Sequence, residues 1–371
     1  MRIHVNDEGV RVFFLNHSVE KDDILLRIPL SSCLRDDEPP SWFEANEGVA
    51  WSTRLAACLL DVQYKNTQTS KKDENTNLGQ SIWWDHMLMP QAELLNHSLP
   101  VHWNEEQIAN TKCRSLELAT DSVYFSRAEA LADLKVLSSS FLQKNGISNH
   151  LWTDHCQSAL DFVQTRCCGV TMESNHSRLR VLAPIFDLLN HASEEGRNAE
   201  FALEKQNDQE MTIEPQYYLI VRSLCDIEAN KEILISYGSE NAKPWKCLLS
   251  YGFVPPFDHL HTTAELCING VWGEVSSGNI PYQLMEEVHH TLNKIDPTGS
   301  EKVQLNAASA LFLAKAAKDT IIRLEEGMDE KTTSEKVGQQ YLQAKLLKIT
   351  QINVLKQWSA SLENYANAFS V

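Results

Sequence analysis

The spacing of apolar positions changes character three times along the chain. Val10 to Leu15 and Ile24 to Ile28 are short, β-rich apolar runs, the second ended by Pro29, and they predict two strands. From Ala50 the period lengthens. Leu55, Cys58, Leu59 and Val62 share one face and predict a helix over Ala50–Val62. The polar stretch Lys65 to Asn77 predicts an exposed loop. Ser126 and Glu129 have capping-box spacing ahead of Ala130, Leu131, Leu134 and Leu137, and Trp152–Arg166 predicts a further helix. Residues 40 to about 168 therefore read as a mainly helical block.

β character returns at Tyr217–Arg222 and Glu232–Tyr237, which predict two further strands. In the second run Ile233, Ile235 and Tyr237 face away from Leu234 and Ser236. After Pro255 and Pro256 a short mixed segment leads into helices. Ala310, Leu313, Ala317, Ile321 and Leu324 form one apolar stripe, closed by Gly327; Leu342, Leu346, Ile349, Ile352 and Leu355 form another. No internal repeat is visible. The order β, helical, β, helical predicts a sheet domain carrying a helical insertion, followed by a helical domain. At 371 residues the chain is longer than one core usually serves.

Composition narrows the function classes. With 43% hydrophobic and 22% charged residues the chain is globular. Fifty acidic against 33 basic residues give a net charge of −17, which argues against nucleic acid and anionic membrane and suits a basic polypeptide partner. No run of about 18 apolar residues predicts a membrane span. The nine cysteines are scattered, odd in number and without a C-x-x-C pair, and Met1–Val5 has no basic-then-apolar signal pattern. These features predict reduced, buried thiols in an intracellular compartment, cytoplasmic or nuclear, with an organelle left open. The histidines show no H-E-x-x-H spacing; His259, His261 and the pair His289-His290 read as surface residues, and no metal is expected.

Two strings stand out: Pro184-Ile-Phe-Asp187-Leu-Leu-Asn190-His191, and Glu232-Ile-Leu-Ile-Ser-Tyr237-Gly238 followed by Tyr251-Gly252-Phe253. Alone, each has an ordinary reading: Asn190-His191 as a turn, Tyr237-Gly238 as a strand exit, Tyr251 as a half-buried aromatic. In this order and about 45 residues apart, they resemble the two signature motifs of SET-domain methyltransferases. Tyr251-Gly252-Phe253-Val254 resembles the Rubisco large-subunit methyltransferase (LSMT) class. Glu8-Gly9-Val10 and Ile24–Pro29 are similar to the opening of that domain. Ser81-Ile-Trp83, Pro90 and Pro100–Glu106 are similar to its helical insert.

The resemblance implies an α+β architecture: a SET fold of small β-sheets with a helical insertion, plus an all-α C-terminal domain. The implied segments are 1–40 and 169–256 for the SET domain, 41–168 for the insertion and 257–371 for a substrate-binding domain. It implies a monomeric protein-lysine N-methyltransferase that uses S-adenosyl-L-methionine on a non-histone protein, such as a ribosomal protein or another soluble target. Glu8, Gly9, Val10, Arg166, Asp187, Asn190, His191 and Tyr237 would hold the cofactor. Arg166 would face its carboxylate and Asp187 its ammonium. Tyr237 would be the key side chain at the transferring methyl, and Tyr251, Phe253 and Trp245 would line the lysine channel. Lysine must be neutral to attack, and burial lowers its ordinary value of about 10.4; Tyr237 need not act as a base.

The pattern departs from the family at three places. Arg11 stands where a second glycine is usual. Asn230-Lys231-Glu232 replaces a Gly-Glu turn, with asparagine able to adopt left-handed backbone. Ser239-Glu-Asn241-Ala-Lys-Pro244-Trp245 loosens a Ser-Asn string, and Trp245 has the ordinary reading of a core residue of the following helix. Two alternatives stay open: histidine methylation, against which Tyr251 speaks, and a catalytically silent SET module that binds a partner.

Overall fold

In the computed structural model the described residues are 2–5, 11–44, 48–69, 98–172, 177–205, 216–238, 243–257, 262–293, 304–326, 328 and 338–369. The chain forms two compact units, Met1–Asn96 with Ser122–Ser239, and His97–Asp121 with Glu240–Val371. Its elements run β1 (Arg2–Val5), β2 (Arg11–Phe14), β3 (Ile24–Pro29), β4 (Leu34–Arg35), α1 (Trp51–Thr69), α2 (Glu105–Ala109), α3 (Arg114–Leu137), α4 (Ser139–Asn145), α5 (Asn149–Arg166), β5 (Cys168–Thr171) and β6 (Arg178–Leu182). Then follow β7 (Asn190–His191), β8 (Ala199–Lys205), β9 (Tyr217–Ser223), β10 (Leu234–Ile235), α6 (Pro244–Tyr251), β11 (Ala264–Ile268), β12 (Val271–Val275), α7 (Tyr282–Asn293), α8 (Ala307–Glu325) and α9 (Gln339–Ala368). This is the expected α+β arrangement of small sheets with a helical block between them.

The first unit holds several short sheets. β3, β9 and β8 form an antiparallel sheet in that order, with Ile28 opposite Leu219 and Phe201 opposite Val221. β4, β6 and β5 form a second, and β1 pairs with β2. Alternating residues of these strands, among them Leu25, Ile28, Val181, Leu219 and Val221, meet in one core. The helical core lies around α1 and α5. Leu55 to Leu60 are buried without a break, so the predicted single apolar face is there a helix buried nearly all round. Inside it Arg127 pairs with the fully buried Asp161 at 2.5 Å.

Several expectations need correction. α1 continues to Thr69, so the polar stretch starts as helix and not as a loop at Lys65; helix formation there needs no apolar face once α1 is anchored by its buried half. Residues 70–97, with Ser81, Trp83 and Pro90, lie outside the described residues. Ser126 is no cap: α3 starts at Arg114, and the Ser126 hydroxyl donates back to the Ser122 carbonyl at 3.1 Å. The strands β5, β6 and β8 carried no sequence expectation; β5 and β6, at four and five residues, are too short for their alternation to stand out.

The second unit is helical apart from the hairpin β11–β12. The stripe on α8 is as expected, with Ala310, Leu313, Ala317, Ile321 and Leu324 all buried; Gly327 lies outside the described residues. On α9 the buried stripe differs. Leu342 and Leu346 are exposed, while Ala344, Leu347, Leu355, Trp358, Leu362 and Ala366 face inward. The cause is a polar interruption: Gln343 and Gln351 occupy buried positions of that face and accept hydrogen bonds from the backbone N–H groups of Val254 and Glu265.

All nine cysteines are free, and Cys225 is the exposed one. Burial pushes the thiols of Cys33, Cys58 and Cys156 up to about 12, so they stay protonated and inert. Among the described residues no helix is long and apolar enough to cross a membrane.

Gly252 ends α6 with φ of 79°, and a Cβ there would sit 2.6 Å from Ser98 Oγ. Gly252→Ala should lower stability by about 1–2 kcal/mol from the left-handed backbone alone, plus the clash. In urea unfolding the loss should shrink, but not vanish, when Ser98→Gly is added; an equal loss in both backgrounds would dismiss the clash.

Candidate active site

The two strings singled out in the sequence meet through a parallel pair of very short strands. Leu234 lies opposite Asn190 and Ile235 opposite His191. The segment carrying Glu232 to Tyr237 reaches this position by changing partner. Asn230, with φ of 63°, makes the left-handed turn, and its N–H donates to the Leu15 carbonyl at 2.9 Å. Glu232 bridges antiparallel to Phe14, and the Ile233 N–H donates to the Phe13 carbonyl at 2.9 Å. Only then does the chain run beside β7. The predicted strand Glu232–Tyr237 is thus a two-residue strand within an extended segment, with Ile233 and Ile235 buried as the alternation requires.

Asn198 holds the outer side of this segment. Its amide donates to the Glu232 carbonyl and accepts from the Leu234 N–H, both at 2.8 Å. One side chain so satisfies two backbone groups that a short strand leaves open. Nothing in the sequence around Asn198 marks it. Glu232, part of the second string but given no task of its own, accepts the Asn190 side-chain amide at 2.7 Å. That bond ties the two strings by their side chains as well as their backbones.

Tyr237 follows directly. Its backbone N–H donates to His191 Nδ1 at 3.1 Å, its hydroxyl donates to the Leu189 carbonyl at 2.5 Å, and the His191 and Tyr237 rings lie 5.2 Å apart. Backbone and side chain of one residue are therefore fixed on the Leu189–His191 segment. The hydroxyl proton is committed to Leu189, which leaves the oxygen lone pairs to accept. Because Nδ1 accepts from an N–H, it carries no proton, and burial holds the His191 imidazole below its ordinary value.

Before β7 the chain makes a sharp entry. Ile185 has φ of 72° and ψ of −42°, unusual for a β-branched residue, and opens a 3-10 turn over Phe186–Leu188. This turn buries Asp187, whose side chain is 1% exposed. Arg166, in the last turn of α5, donates to the Asp187 carbonyl at 2.8 Å and stands 3.5 Å from its carboxylate, with its guanidinium over Phe162. Asp187 and Arg166, expected to serve opposite ends of a ligand, are partners of each other.

Gly238 has neither positive φ nor a crowding neighbour: a Cβ there would meet no described atom within 4 Å. Arg166, Asp187, Asn190, His191 and Tyr237 are thus gathered in the first unit. Glu8, Gly9 and Val10 lie outside the described residues, as does Asn241, and for Arg11 only the strand backbone is described. Tyr251, Phe253 and Trp245 belong to the second unit. There the rings of Tyr251 and Phe253 lie 6.2 Å apart, and the Trp245 indole N–H donates to Glu274 on the hairpin at 2.8 Å.

No family model matches the chain, and no curated protein matches it. Solved structures do. The chain is similar to the SET domain of LSMT bound to lysine and AdoHcy, at 13% identity with a TM-score of 0.58. It is similar to that domain bound to methyl-lysine and AdoHcy, at 14% and 0.55, and to Rubisco LSMT bound to sinefungin and monomethyllysine, at 14% and 0.54. Each match covers 100% of this chain and 88% of the other. The chain has a SET fold. At this level of identity the SET fold is carried by backbone arrangement and by few shared side chains.

The His191 environment of this SET fold sets a pH dependence. The unfolded ring takes up a proton as pH falls through about 6.5, while the folded ring resists it. The unfolded state then binds more protons, so stability falls on acidification below that value. Protonation also places a donor against the Tyr237 N–H. His155 is displaced in the same direction, likewise by burial. In urea titrations His191→Asn, which keeps an acceptor near Nδ1, should lose part of the stability drop between about pH 7 and pH 5.5. An identical drop in both proteins would contradict the assignment.

Proposed function

We propose that this chain is an S-adenosylmethionine-dependent protein-lysine N-methyltransferase acting on a non-histone protein. The observation that carries the proposal is Tyr237, fixed through its own N–H and hydroxyl to the Leu189–His191 segment, in a SET fold whose solved neighbours hold AdoHcy and lysine. The donor set suits such a cofactor. Arg166 offers a guanidinium for a carboxylate, Asn190 an amide, and Gly238 open space for close approach of a ligand. S-adenosylmethionine, when bound, supplies a sulfonium-activated methyl group.

The residues would divide the work as follows. Arg166, Asn190 and the backbone at His191 hold the polar ends of the cofactor. Asp187, buried against Arg166, fixes the direction of that guanidinium, a task that replaces direct pairing with a ligand ammonium. Tyr237, its hydroxyl proton held by Leu189, would meet the transferring methyl through weak C–H contacts and the lysine through its N–H. The reaction is mainly a matter of alignment, so a rigid Tyr237 is of more use than a basic one. Removal of water around the lysine amine favours its neutral form. The net charge of −17 favours a basic target such as a ribosomal protein.

Two measurements test the proposal. Calorimetry with S-adenosylhomocysteine should show binding; no heat would overturn the enzyme reading and leave a partner-binding SET module. Tyr237→Phe should bind that ligand within about threefold of the parent, yet label proteins of a fractionated lysate about a hundredfold more slowly from tritiated cofactor. Unchanged labelling would remove Tyr237 from the reaction. Label recovered on histidine in place of lysine would move the proposal to the alternative acceptor.

A further inference from the structure

The second unit contains a cavity of about 310 Å³ that plays no part in the function proposed above. Its floor includes Gln351, a polar residue set in the apolar stripe of α9 and only 3% exposed. The amide oxygen accepts the Glu265 N–H at 3.4 Å, which directs the amide nitrogen away from strand β11. Among the described residues that nitrogen has no hydrogen-bond partner. An unpaired buried donor is destabilising, whereas leucine at the same place would extend the stripe. Gln351 lines the cavity, so its unmet donor and the cavity belong to one region of the fold.

The charges around it have the matching sign. Lys112, Arg114 and Arg323 line the cavity, and none of them forms an ion pair with a described acid. Arg323 is steadied by Thr320 at 2.9 Å, and the Arg114 guanidinium lies 5.3 Å from the centre of the Trp272 ring. Two acids also line the space. The two oxygens of Glu265 accept the backbone N–H groups of Arg114 and Ser115, each at 2.8 Å, and so cap α3. Glu265 keeps its charge, so three cations face two acids and the lining is positive by one. The remaining wall is apolar, with Leu324 and the broad, 40% exposed face of Trp272. The size is that of a small-molecule site.

We propose that this cavity binds an organic carboxylate on an apolar stem, its oxygens received by Arg323, Lys112 and the Gln351 amide and its stem lying along Trp272. The carboxylate can come from a free metabolite or from the terminus of a polypeptide. The site is independent of Tyr237 and of any cofactor.

Ligand-observed NMR with the full chain tests this, using 3-phenylpropionate, its amide, a hexapeptide ending in phenylalanine with a free carboxylate, and the same peptide amidated. Both acids should give saturation transfer, and both amides at least fivefold less. Arg323→Met should reduce the acid signal at least fivefold with S-adenosylhomocysteine binding unchanged. A peptide that binds at least tenfold more tightly than phenylpropionate assigns the site to polypeptide termini, and equal binding assigns it to free acids. Gln351→Glu, which keeps an acceptor for the Glu265 N–H and replaces the amide donor with an anion, should also abolish the transfer. Signals from the amides as strong as those from the acids, or no effect of Arg323→Met, would overturn the proposal. Undiminished transfer from the acids in Gln351→Glu would overturn it as well.

Discussion

Four residues form the parallel pair of Asn190–His191 with Leu234–Ile235, and the candidate active site depends on it. Parallel pairing is somewhat weaker per residue than antiparallel, and two residues a side are far too few to hold a register by themselves. The register matters because Tyr237 lies two residues beyond Ile235. A slip of one position would turn its side chain to the opposite face and carry its hydroxyl away from Leu189. The protein therefore surrounds a weak pairing with polar bonds that only one register satisfies. Asn198 takes the Glu232 carbonyl and Leu234 N–H, Glu232 takes the Asn190 amide, and His191 takes the Tyr237 N–H.

These bonds differ in kind from the packing that holds the rest of the unit. The sheet β3–β9–β8 and the helices α1 and α5 are stabilised by apolar burial, which tolerates volume-conserving change. The active-site segment has Ile233 and Ile235 as apolar anchors, and its other contacts are directional. Directional bonds hold geometry tightly and fail abruptly. That suits the alignment chemistry proposed for this site, and the SET fold itself persists at 13% identity to a solved neighbour. A backbone carbonyl such as that of Leu189 can be supplied by any residue, so the acceptor that orients Tyr237 leaves no trace in composition.

What could be read from the chain follows the same division. Apolar stripes predicted α1 and α8 because burial imposes periodicity, and Ile24–Ile28 and Tyr217–Arg222 emerged as strands because strands buried on both faces are short apolar runs. The two chemistry-bearing strings were legible because their residue types and order are unusual together. Asn198 was not, since a lone asparagine looks like a turn residue. The Arg166–Asp187 pair was not, because two charged residues 21 positions apart give no hint of facing each other. The start of α3 was placed too late for a related reason. Ser126 and Glu129 have the spacing of a cap, but spacing cannot tell a cap from a mid-helix serine whose hydroxyl returns to the preceding turn.

The α9 stripe carries this reasoning furthest. Counting apolar residues selected Leu342 and Leu346, yet the helix is turned so that Gln343 and Gln351 are buried instead. Burying an amide in place of a leucine forgoes apolar contact and requires partners for both ends of the group. Gln343 has an evident structural reason, since it accepts the Val254 N–H at 2.8 Å where the chain leaves α6. Gln351 has half of one, a longer bond from Glu265, with its donor end beside a cavity edged by cations. Two residues of the same type on one face thus answer different demands. A polar break in an apolar stripe does not by itself announce a site; it does so where the fold satisfies only part of the group it has buried.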